Sequence, residues 1–382
     1  MRSTACLLVI GLLLAASPAG AAVIRVRPGH SIQAAVDAAN PGDHIVVYPG
    51  TYHEASTPCP TDHTRRCAVV VTKDDVKLIG RPQKTKPVIV ENAGGQDQGI
   101  AFAKSGASGP DCLTDPAQRI KGVGVQGITI NGFSGDGVFL FCADDWRVHS
   151  TAANDNREYG IFPSHCGPGR VTESTATGSN DTGIYIGQSH DVRVDHNFAT
   201  GNVSGFEIEN SSGVRLDHNE ATGNTGGILS FTLPGLDVPL NHDNRIDHNY
   251  SHDNNKPNTC LTPGDDICLV PQGTGMLVLA ADSNEVDHNV VMGNDTGGIA
   301  LVTGCLVASC TPAPPPGYDP APENDRFEHN TVTGNGHSPD PSYAFLAADL
   351  IYLPAGGTGD CWHANTFMTQ FPPAPPALPA CP

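Results

Sequence analysis

The chain has 382 residues, a formal net charge of −19 and 12 cysteines. So large an acidic excess argues against binding to nucleic acid or to anionic membranes, because both would be repelled electrostatically. It is compatible with a neutral partner or with bound cations.

Residues 1–22 have the composition of a signal peptide that is cleaved on export. Arg2 precedes the apolar run at residues 7–14, and small residues follow as far as Ala22. This run is too short to span a bilayer, and no later stretch approaches the roughly 18–20 apolar residues that a span requires. We therefore expect a secreted or periplasmic protein with no membrane span.

The mature chain begins with a short strand and an amphipathic helix at residues 31–40. Ser31 is a suitable N-cap for this helix, and Pro41 follows its end. The stretch SIQAAVDAANPGDHIVVYPGTY, residues 31–52, resembles the N-terminal cap of right-handed parallel β-helix proteins. Pectin-degrading enzymes and mannuronan C5-epimerases share that architecture. Such a helix would cover the open end of a stack of coils and its unpaired strand edge.

Beyond residue 120 the sequence repeats with a period in the low twenties. Glycine-led strands start at Gly137, Gly160, Gly183, Gly205 and Gly227, in steps of 23, 23, 22 and 22 residues. A second element recurs as VRVDHN, VRLDHN, NRIDHN, NEVDHN and DRFEHN. A repeat of this length cannot bury its own apolar face, so the copies must stack into a solenoid.

Three long insertions interrupt the later repeats, at residues 232–242, 256–272 and 304–322. The wider steps between the DHN elements there correspond either to one coil plus a loop or to two coils. Long loops on a rigid stack are common places for function.

The segments IYIGQS, GFEIENS and NTGGILSFTLPGL, followed by GTGMLVLAADSNEV and TGGIALV, are similar to a family of secreted bacterial parallel β-helix repeat-containing proteins. This similarity extends over nearly the whole mature chain. It implies an all-β fold, a single right-handed parallel β-helix of about ten coils at residues 23–353 with an N-terminal capping helix. A Pro-rich tail at residues 354–382 would pack on the stack or close it. The family implies a fold and no particular reaction.

Eleven cysteines remain after signal cleavage, and in an exported chain most of them are expected in disulfides. Three pairs lie close in sequence, namely Cys59 with Cys67, Cys260 with Cys268, and Cys305 with Cys310. Among the others, we favour Cys361 with Cys381, and Cys112 with either Cys142 or Cys166. One thiol should be left over and buried in the stack.

Alternate residues of a strand face opposite sides of the sheet, and the interior of a narrow coil must be apolar. The side chains predicted to point inward are Ile184, Ile186, Phe206, Ile208, Ile228, Met276, Val278, Ile299 and Leu301. Their neighbours must point to solvent in two columns. The first column is Phe139, Phe162, Tyr185, Glu207, Leu229, Leu277 and Ala300. The second column is Phe141, Ser164, Gly187, Glu209, Phe231, Leu279 and Val302.

Glu207 and Glu209, in the middle of these columns, are the strongest indication of function. At about 3.3 Å rise per residue their Cβ atoms lie roughly 6–7 Å apart, within reach of the separations used for acid–base chemistry on sugars. The predicted catalytic residues are Glu207, Glu209, Tyr185 and His165. The predicted substrate-binding residues are Phe162, Gln188 and Phe231. Alternatively, the two glutamates are solvated surface residues, or they bind a cation.

One stretch departs from the pattern that the epimerase resemblance implies. Those enzymes carry a Tyr-Gly-x-Asp-Pro-His-Asp type motif, whereas residues 159–165 here read YGIFPSH. Phe162 replaces the first acid, Ser164 the histidine and His165 the second acid. Epimerase or lyase activity is therefore less favoured, although His165 could act as a base from its shifted position.

Stacking would also align the DHN elements into columns of aspartate, histidine and asparagine. The stacked aspartates repel one another, and arginines two positions earlier, such as Arg193 and Arg215, would relieve that repulsion. The asparagines are expected to turn inward and form amide ladders. The columns are structural, or they bind calcium, or their imidazoles hold a transition metal. The sequence establishes no cofactor, and Ca2+ stays an option.

Together these features predict a monomeric exported protein that binds or processes a polysaccharide along an exposed sheet face. It would act as a lyase, an epimerase or a hydrolase-like enzyme. The alternative is a non-catalytic binding or surface scaffold, stabilised by a cation. The carboxylate pair favours catalysis and the altered motif at residues 159–165 favours a scaffold, so the sequence leaves open whether the chain is an enzyme.

Overall fold

The computed structural model describes residues 21–375 and 377–382. The chain winds into a stack of coils, and most coils contribute one strand to each of three sheets. Sheets A, B and C have 12, 10 and 12 strands. The predicted signal peptide lies outside the described residues, apart from its last two positions.

The strands are short, as expected for narrow coils. The strands of sheet A are Val23–Val26, His44–Val47, Lys77–Gly80, Gly124–Gln126, Trp146–His149, Gly169–Thr172, Val192–Asp195, Arg215–Asp217, Arg245–Asp247, Glu285–Asp287, Arg326–Glu328 and Cys361–His363. The strands of sheet B are Gly50–Tyr52, Val88–Glu91, Thr129–Asn131, Ala152–Asn154, Thr175–Thr177, Phe198–Thr200, Glu220–Thr222, Tyr250–His252, Val290–Met292 and Thr331–Thr333. The strands of sheet C are Thr57–Pro58, Arg66–Val71, Gln98–Phe102, Val138–Phe141, Ile161–Ser164, Thr182–Gly187, Ser204–Glu209, Gly226–Phe231, Thr274–Leu279, Gly297–Val302, Ala348–Leu353 and Gln370–Phe371.

Sheet pairing is parallel throughout the stack, apart from the antiparallel pair formed by Thr57–Pro58 and Arg66–Val71. A separate two-stranded sheet joins Ile120–Lys121 to Ala143–Asp144. The described helices are Ile32–Ala38 and Gly109–Thr114, with 3-10 turns at Pro116–Gln118, Asp266–Leu269, Gly304–Leu306 and Pro341–Leu346.

The leading glycines mark where successive coils approach most closely. A Cβ atom on Gly183, Gly205 or Gly227 would lie 2.5–2.9 Å from the carbonyl oxygen of the glycine in the next coil. Side chains are excluded at such distances, and glycine alone lets the two backbones meet. The glycine spacing in the sequence therefore reports the length of one coil.

The interior of the stack is apolar, as the alternation predicted. All nine side chains predicted to point inward belong to one core that runs along the stack. Helix Ile32–Ala38 covers the first coils and buries Ile32, Ala35 and Val36. Ser31 is its N-cap, as predicted, and accepts a hydrogen bond from the backbone N–H of Ala34 at 3.0 Å.

On sheet A, the DHN elements form aligned columns of charged and aromatic side chains. Arg193, Arg215 and Arg245 each contact the aspartate of the next coil through two hydrogen bonds, as Arg215 does with Asp247 at 3.0 and 2.9 Å. The histidines stack with ring centroids 5.0–5.1 Å apart, and His218 hydrogen-bonds Asp217 at 2.9 Å. Within residues 21–375 and 377–382, no group of three His, Cys, Asp or Glu side chains is arranged to hold a metal ion. The contacts that are present are those of a structural ladder.

The asparagines turn inward and form amide ladders, as predicted. In one ladder the side-chain N–H of Asn219 donates to Asn249, and that of Asn249 donates to Asn289, both at 3.0 Å. A second ladder ends on a carboxylate, because Asn335 donates to Asp349 at 3.0 Å. These bonds satisfy polar groups that would otherwise be buried without partners.

Each of the three insertions adds a loop to one coil and no extra coil. The segments 232–244 and 303–325 follow the C-terminal ends of sheet C strands, whereas the segment 253–273 leads into a sheet C strand. Loops therefore rise on both sides of the outer face of sheet C. This arrangement makes that face the floor of a site.

Five disulfides form in the described part of the chain: Cys59–Cys67, Cys112–Cys142, Cys260–Cys268, Cys305–Cys310 and Cys361–Cys381. The favoured pairings are confirmed, and Cys166 is the buried free thiol. This number of disulfides is typical of exported proteins. None of the described helices is long and apolar enough to cross a membrane.

Candidate functional site

The outer face of sheet C is largely covered, so the prediction that its two columns face solvent is wrong. Glu207 is 3% exposed, Tyr185 5% and Leu229 1%. These side chains leave the coil on the predicted side, but they end beneath the insertions. The loop at residues 253–273 is one cause, since its Val270 packs on Leu229. The expected exposed binding face is therefore largely covered by the insertions.

Between sheet C and the insertions lies a cavity of about 380 Å³. This volume is in the usual range for small-molecule sites. Five carboxyl side chains line its polar end: Asp181, Glu207, Glu209, Asp265 and Asp266. Two tyrosines, Tyr159 and Tyr185, line the same end. The opposite end is apolar and includes Leu229, Phe231, Leu277 and Leu279.

Tyr185 and Glu209 form the central contact of the polar end. The strands Thr182–Gly187 and Ser204–Glu209 pair in parallel, with Gly187 beside Glu209. Because Gly187 has no side chain, the Tyr185 ring lies over it, and the Tyr185 hydroxyl donates to Oε2 of Glu209. Burial raises the pKa of Glu209 to about 7, although the Tyr185 hydrogen bond lowers it in part.

Glu207 lies on the same strand but is more deeply enclosed. Burial raises the pKa of Glu207 well above its ordinary value, and the Asp181 carboxylate adds to this effect. Burial likewise raises the pKa of Asp181 to about 6, against hydrogen bonds from Tyr159 and Thr182 that lower it. The Oε1 atom of Glu207 is buried and has no hydrogen-bond partner among the described residues. Carboxyl groups that gain or lose a proton near pH 7 are suited to acid–base chemistry.

An aromatic stack supports the two tyrosines. The Phe162 ring contacts both, with its centroid 4.3 Å from that of Tyr159 and 4.7 Å from that of Tyr185. Phe162, predicted to contact substrate, is not among the residues that line the cavity. Its contacts hold the tyrosines in position, and a direct role in binding substrate stays a prediction.

His165 and Gln188 lie beside the cavity and anchor a loop. Nε2 of His165 is 3.1 Å from Oδ2 of Asp237, and its Nδ1 is 2.9 Å from Oγ of Ser164. Burial lowers the pKa of His165, although Asp237 opposes that effect. The side-chain carbonyl of Gln188 accepts a hydrogen bond from the backbone N–H of Asp237 at 2.8 Å. Both residues thus fix the segment 232–244, and their predicted roles as base and substrate ligand remain predictions.

The structure therefore brings together four of the seven predicted site residues, Glu207, Glu209, Tyr185 and Phe231. Sequence reasoning missed the carboxyl groups of Asp181, Asp265 and Asp266. Asp181 directly precedes a glycine-led strand, at a turn position that has no acid in the next two coils. The Asp265–Asp266 pair lies inside the disulfide loop closed by Cys260 and Cys268, and two adjacent acids in a closed insertion were an available signal.

A sequence model of the right-handed beta helix region matches residues 118–199 and 136–311 of the chain. No curated protein matches the sequence. Among solved structures, the A-module of mannuronan C-5 epimerase AlgE6 from Azotobacter vinelandii is similar with a TM-score of 0.64 and 18% identity, covering 88% of this chain and 91% of that one. The A-module of AlgE4 from the same organism is similar with a TM-score of 0.61 and 16% identity, covering 88% and 90%.

The tailspike protein of E. coli bacteriophage HK620, solved in complex with a pentasaccharide, is also similar. Its TM-score is 0.58 at 10% identity, over 88% of this chain and 60% of the tailspike. At these levels of identity the likeness concerns the fold. The site has to be judged from its own residues.

Proposed function

The chain belongs to the right-handed β-helix family, and we propose that it is a carbohydrate-active protein. It would hold a glycan in the cavity over sheet C and hydrolyse a glycosidic bond there. The observation that carries this proposal is the pair of carboxyl groups, Glu207 and Glu209, that line one cavity between sheet C and the insertions. The proposal is also supported by structures of the same fold, two of which are mannuronan C-5 epimerases and one of which was solved in complex with a pentasaccharide. Export of the protein, which its five disulfides favour, would give it access to extracellular or cell-wall glycans.

The two carboxyl groups would take different roles. Glu207, whose pKa burial raises well above its ordinary value, would donate its proton to the glycosidic oxygen as the C–O bond breaks. Glu209 has a pKa of about 7 and would act when ionised, taking a proton from the water that attacks the anomeric carbon. The Tyr185 hydroxyl would hold the Glu209 carboxylate in position. The apolar end, with Phe231, would pack against the faces of sugar rings.

Hydrolysis is favoured over elimination or epimerisation of uronates by the charge of the cavity. A lyase or epimerase must bind a uronate carboxylate and neutralise it before proton abstraction. The lining residues that the structure describes include five acids and no lysine, arginine or histidine. An anionic sugar would therefore be repelled where a neutral or cationic sugar would be accepted.

The test is turnover of a panel of neutral, amino-sugar and uronic-acid polysaccharides by the mature protein, followed as new reducing ends and as unsaturated uronate absorbance. Glu207→Gln and Glu209→Gln should each lower turnover of any responding glycan by at least about a hundredfold. The matched control is Glu173→Gln, an exposed acid on the surface of the stack. Unchanged turnover in both cavity variants would refute the proposed pair.

A non-catalytic binding scaffold is the second candidate. It is favoured by His165, which stands in the stretch that resembles the epimerase motif but is tied to Asp237. In that case a glycan would bind in the cavity with the same dependence on Glu207 and Glu209, and no product would appear from any polymer.

A further inference from the structure

The outer face of sheet C changes from acidic to apolar within one coil. The parallel register places Leu229, Leu277, Ala300 and Ile351 in the coils that follow Glu207, and Phe231, Leu279, Val302 and Leu353 in the coils that follow Glu209. Each step along these two columns is about 4.8 Å. Beyond the carboxyl pair, the floor of the site is therefore hydrocarbon.

This apolar floor continues from the main cavity into a second cavity of about 70 Å³, the apolar pocket. The two cavities share four lining residues, namely Leu269, Leu277, Leu279 and Val307, so they are adjoining parts of one site. The apolar pocket is also lined by Ala300, Val302, Leu306, Leu346 and Ile351. No charged side chain among the described residues lines it.

The polar side chains that line the apolar pocket already have hydrogen-bond partners. The hydroxyl groups of Thr274, Thr296 and Tyr343 each donate to a backbone carbonyl of the loop at residues 253–273. Apolar cavities of this kind tend to stay dry, so an apolar group can enter without displacing hydrogen-bonded water. The apolar pocket is therefore suited to a hydrocarbon group.

Two leucines that line the apolar pocket are also exposed to solvent. Leu269 is 41% exposed and Leu306 is 43% exposed, and they belong to different insertions. A hydrocarbon group held between these insertions would remove part of both side chains from water. Removal of apolar surface from water stabilises a complex.

We infer that the substrate is a glycoside whose sugar is joined to a hydrocarbon chain, with the sugar beside Glu207 and Glu209 and the chain in the apolar pocket. This inference rests on the proposed function and names the substrate class of the same site. Hydrolysis would form a bond between the water oxygen and the anomeric carbon, and would break the bond from that carbon to the chain oxygen. The chain oxygen takes the proton of Glu207, Glu209 takes a proton from the water, and the chain leaves as an alcohol.

The size of the apolar pocket decides how much of the chain it holds. A cavity of about 150 Å³ lined by apolar side chains holds one benzene molecule. At about 70 Å³, the apolar pocket has room for roughly three carbon atoms. A free fatty acid is a poorer match than a glycoside, because its carboxylate would lie beside the five acids of the main cavity.

The test compares glycosides that differ only in the group on the anomeric oxygen. Gluco, galacto, manno and N-acetylgluco pyranosides, in both anomeric forms, each carry a methyl, a butyl or a 3-hydroxypropyl group. The last two groups have the same length, and only the butyl group ends in hydrocarbon. Binding to the mature chain at pH 7 is measured by calorimetry, and release of the alcohol by chromatography.

The expected result is that the butyl form of at least one sugar binds at least about tenfold more tightly than its methyl and 3-hydroxypropyl forms. This factor follows because each buried methylene strengthens binding by up to about fourfold, and the butyl group adds three carbons to the methyl group. Butanol alone should bind more weakly than the butyl glycoside.

Variants place the chain in the apolar pocket. Ala300→Leu fills the apolar pocket and should remove most of the preference for butyl while the affinity for the methyl glycoside stays unchanged. Leu306→Ser alters an exposed side chain and should reduce the preference severalfold even if Ala300→Leu folds poorly. The matched control is Leu113→Ser, because Leu113 is also 43% exposed but does not line the site.

Each other outcome has a definite meaning. Equal binding of the butyl and 3-hydroxypropyl forms of every sugar would overturn the inference, and turnover of a polysaccharide would still leave the proposed function standing. Butanol binding as tightly as the butyl glycoside, or a preference for butyl that survives in both pocket variants, would overturn it as well. A preference for butyl that the variants remove, without release of alcohol, would support the binding site and refute the proposed hydrolysis. The absence of both binding and turnover would refute both.

Discussion

Glu209→Gln offers a direct test of the electrostatics of the cavity in the absence of any ligand. Burial raises the pKa of Glu209 from 4.5 to about 7 in the folded protein. Folded Glu209 therefore binds its proton more tightly than the unfolded chain does, and the free energy of unfolding falls as pH rises from about 4.5 to about 7. At roughly 1.4 kcal/mol per pH unit, this loss is about 3 kcal/mol, an upper figure because Glu209 is partly exposed.

Glutamine has the same shape and cannot ionise, so Glu209→Gln should remove this part of the pH dependence. Urea unfolding at pH 5 and pH 8, followed by circular dichroism, measures it as the change in stability between the two conditions. The wild-type protein should lose up to about 3 kcal/mol more between them than the variant does. The control is Glu173→Gln, which alters an exposed carboxylate and should keep the wild-type pH dependence. If Glu209→Gln also keeps it, then Glu209 is ionised in the folded protein at lower pH, and its assigned role as a base poised near pH 7 is wrong.

Gly187→Ala should displace the Tyr185 ring, because a Cβ atom would overlap it; glycan binding or turnover should fall while circular dichroism stays unchanged. Arg215→Gln leaves the buried carboxylate of Asp247 with fewer donors and should cost about 1–3 kcal/mol in urea unfolding at pH 7. Burial raises the pKa of Asp247, but hydrogen bonds from Arg215 lower it below 3.8 overall. The loss of stability in Arg215→Gln should therefore become smaller as the pH falls below 3.8 and the carboxylate is protonated. Asn249→Ala breaks the amide ladder in mid-stack and should lower the free energy of unfolding by at least about 2 kcal/mol, measured by the same titration.

The repeating part of the fold could be predicted because each coil obeys the same rules. The glycine column at Gly183, Gly205 and Gly227 and the inward asparagines follow from backbone contact and from buried amides, and both are visible as a period in the sequence. The close cysteine pairs were predictable for a similar reason, since short loops bring their ends together. These are properties of local spacing.

The site could be predicted in part, because the rest depends on segments that do not repeat. Glu207 and Glu209 were placed on the correct side of the coil by alternation, but their burial depends on the loop at residues 253–273, whose path has no periodic signal. The same limit applies to Asp181, a turn residue without an acidic counterpart in the next two coils, and to His165, whose contact with Asp237 spans 72 residues. The alternation of residues along a strand predicts which side of the sheet a side chain points to. Whether that side chain is buried depends on the insertions that cover the sheet.

The asparagine ladders give the stack a polarity. Asn219, Asn249 and Asn294 each donate one side-chain N–H to the amide oxygen of the next coil toward the C-terminus. The second ladder ends on a carboxylate, because Asp349 accepts from Asn335 and has no N–H to donate. Asp325 does the same for Asn284 at 2.9 Å. Oδ2 of Asp349 accepts from the backbone N–H groups of Met368 and Thr369, so the same carboxylate that ends this amide ladder also binds the segment that closes the stack.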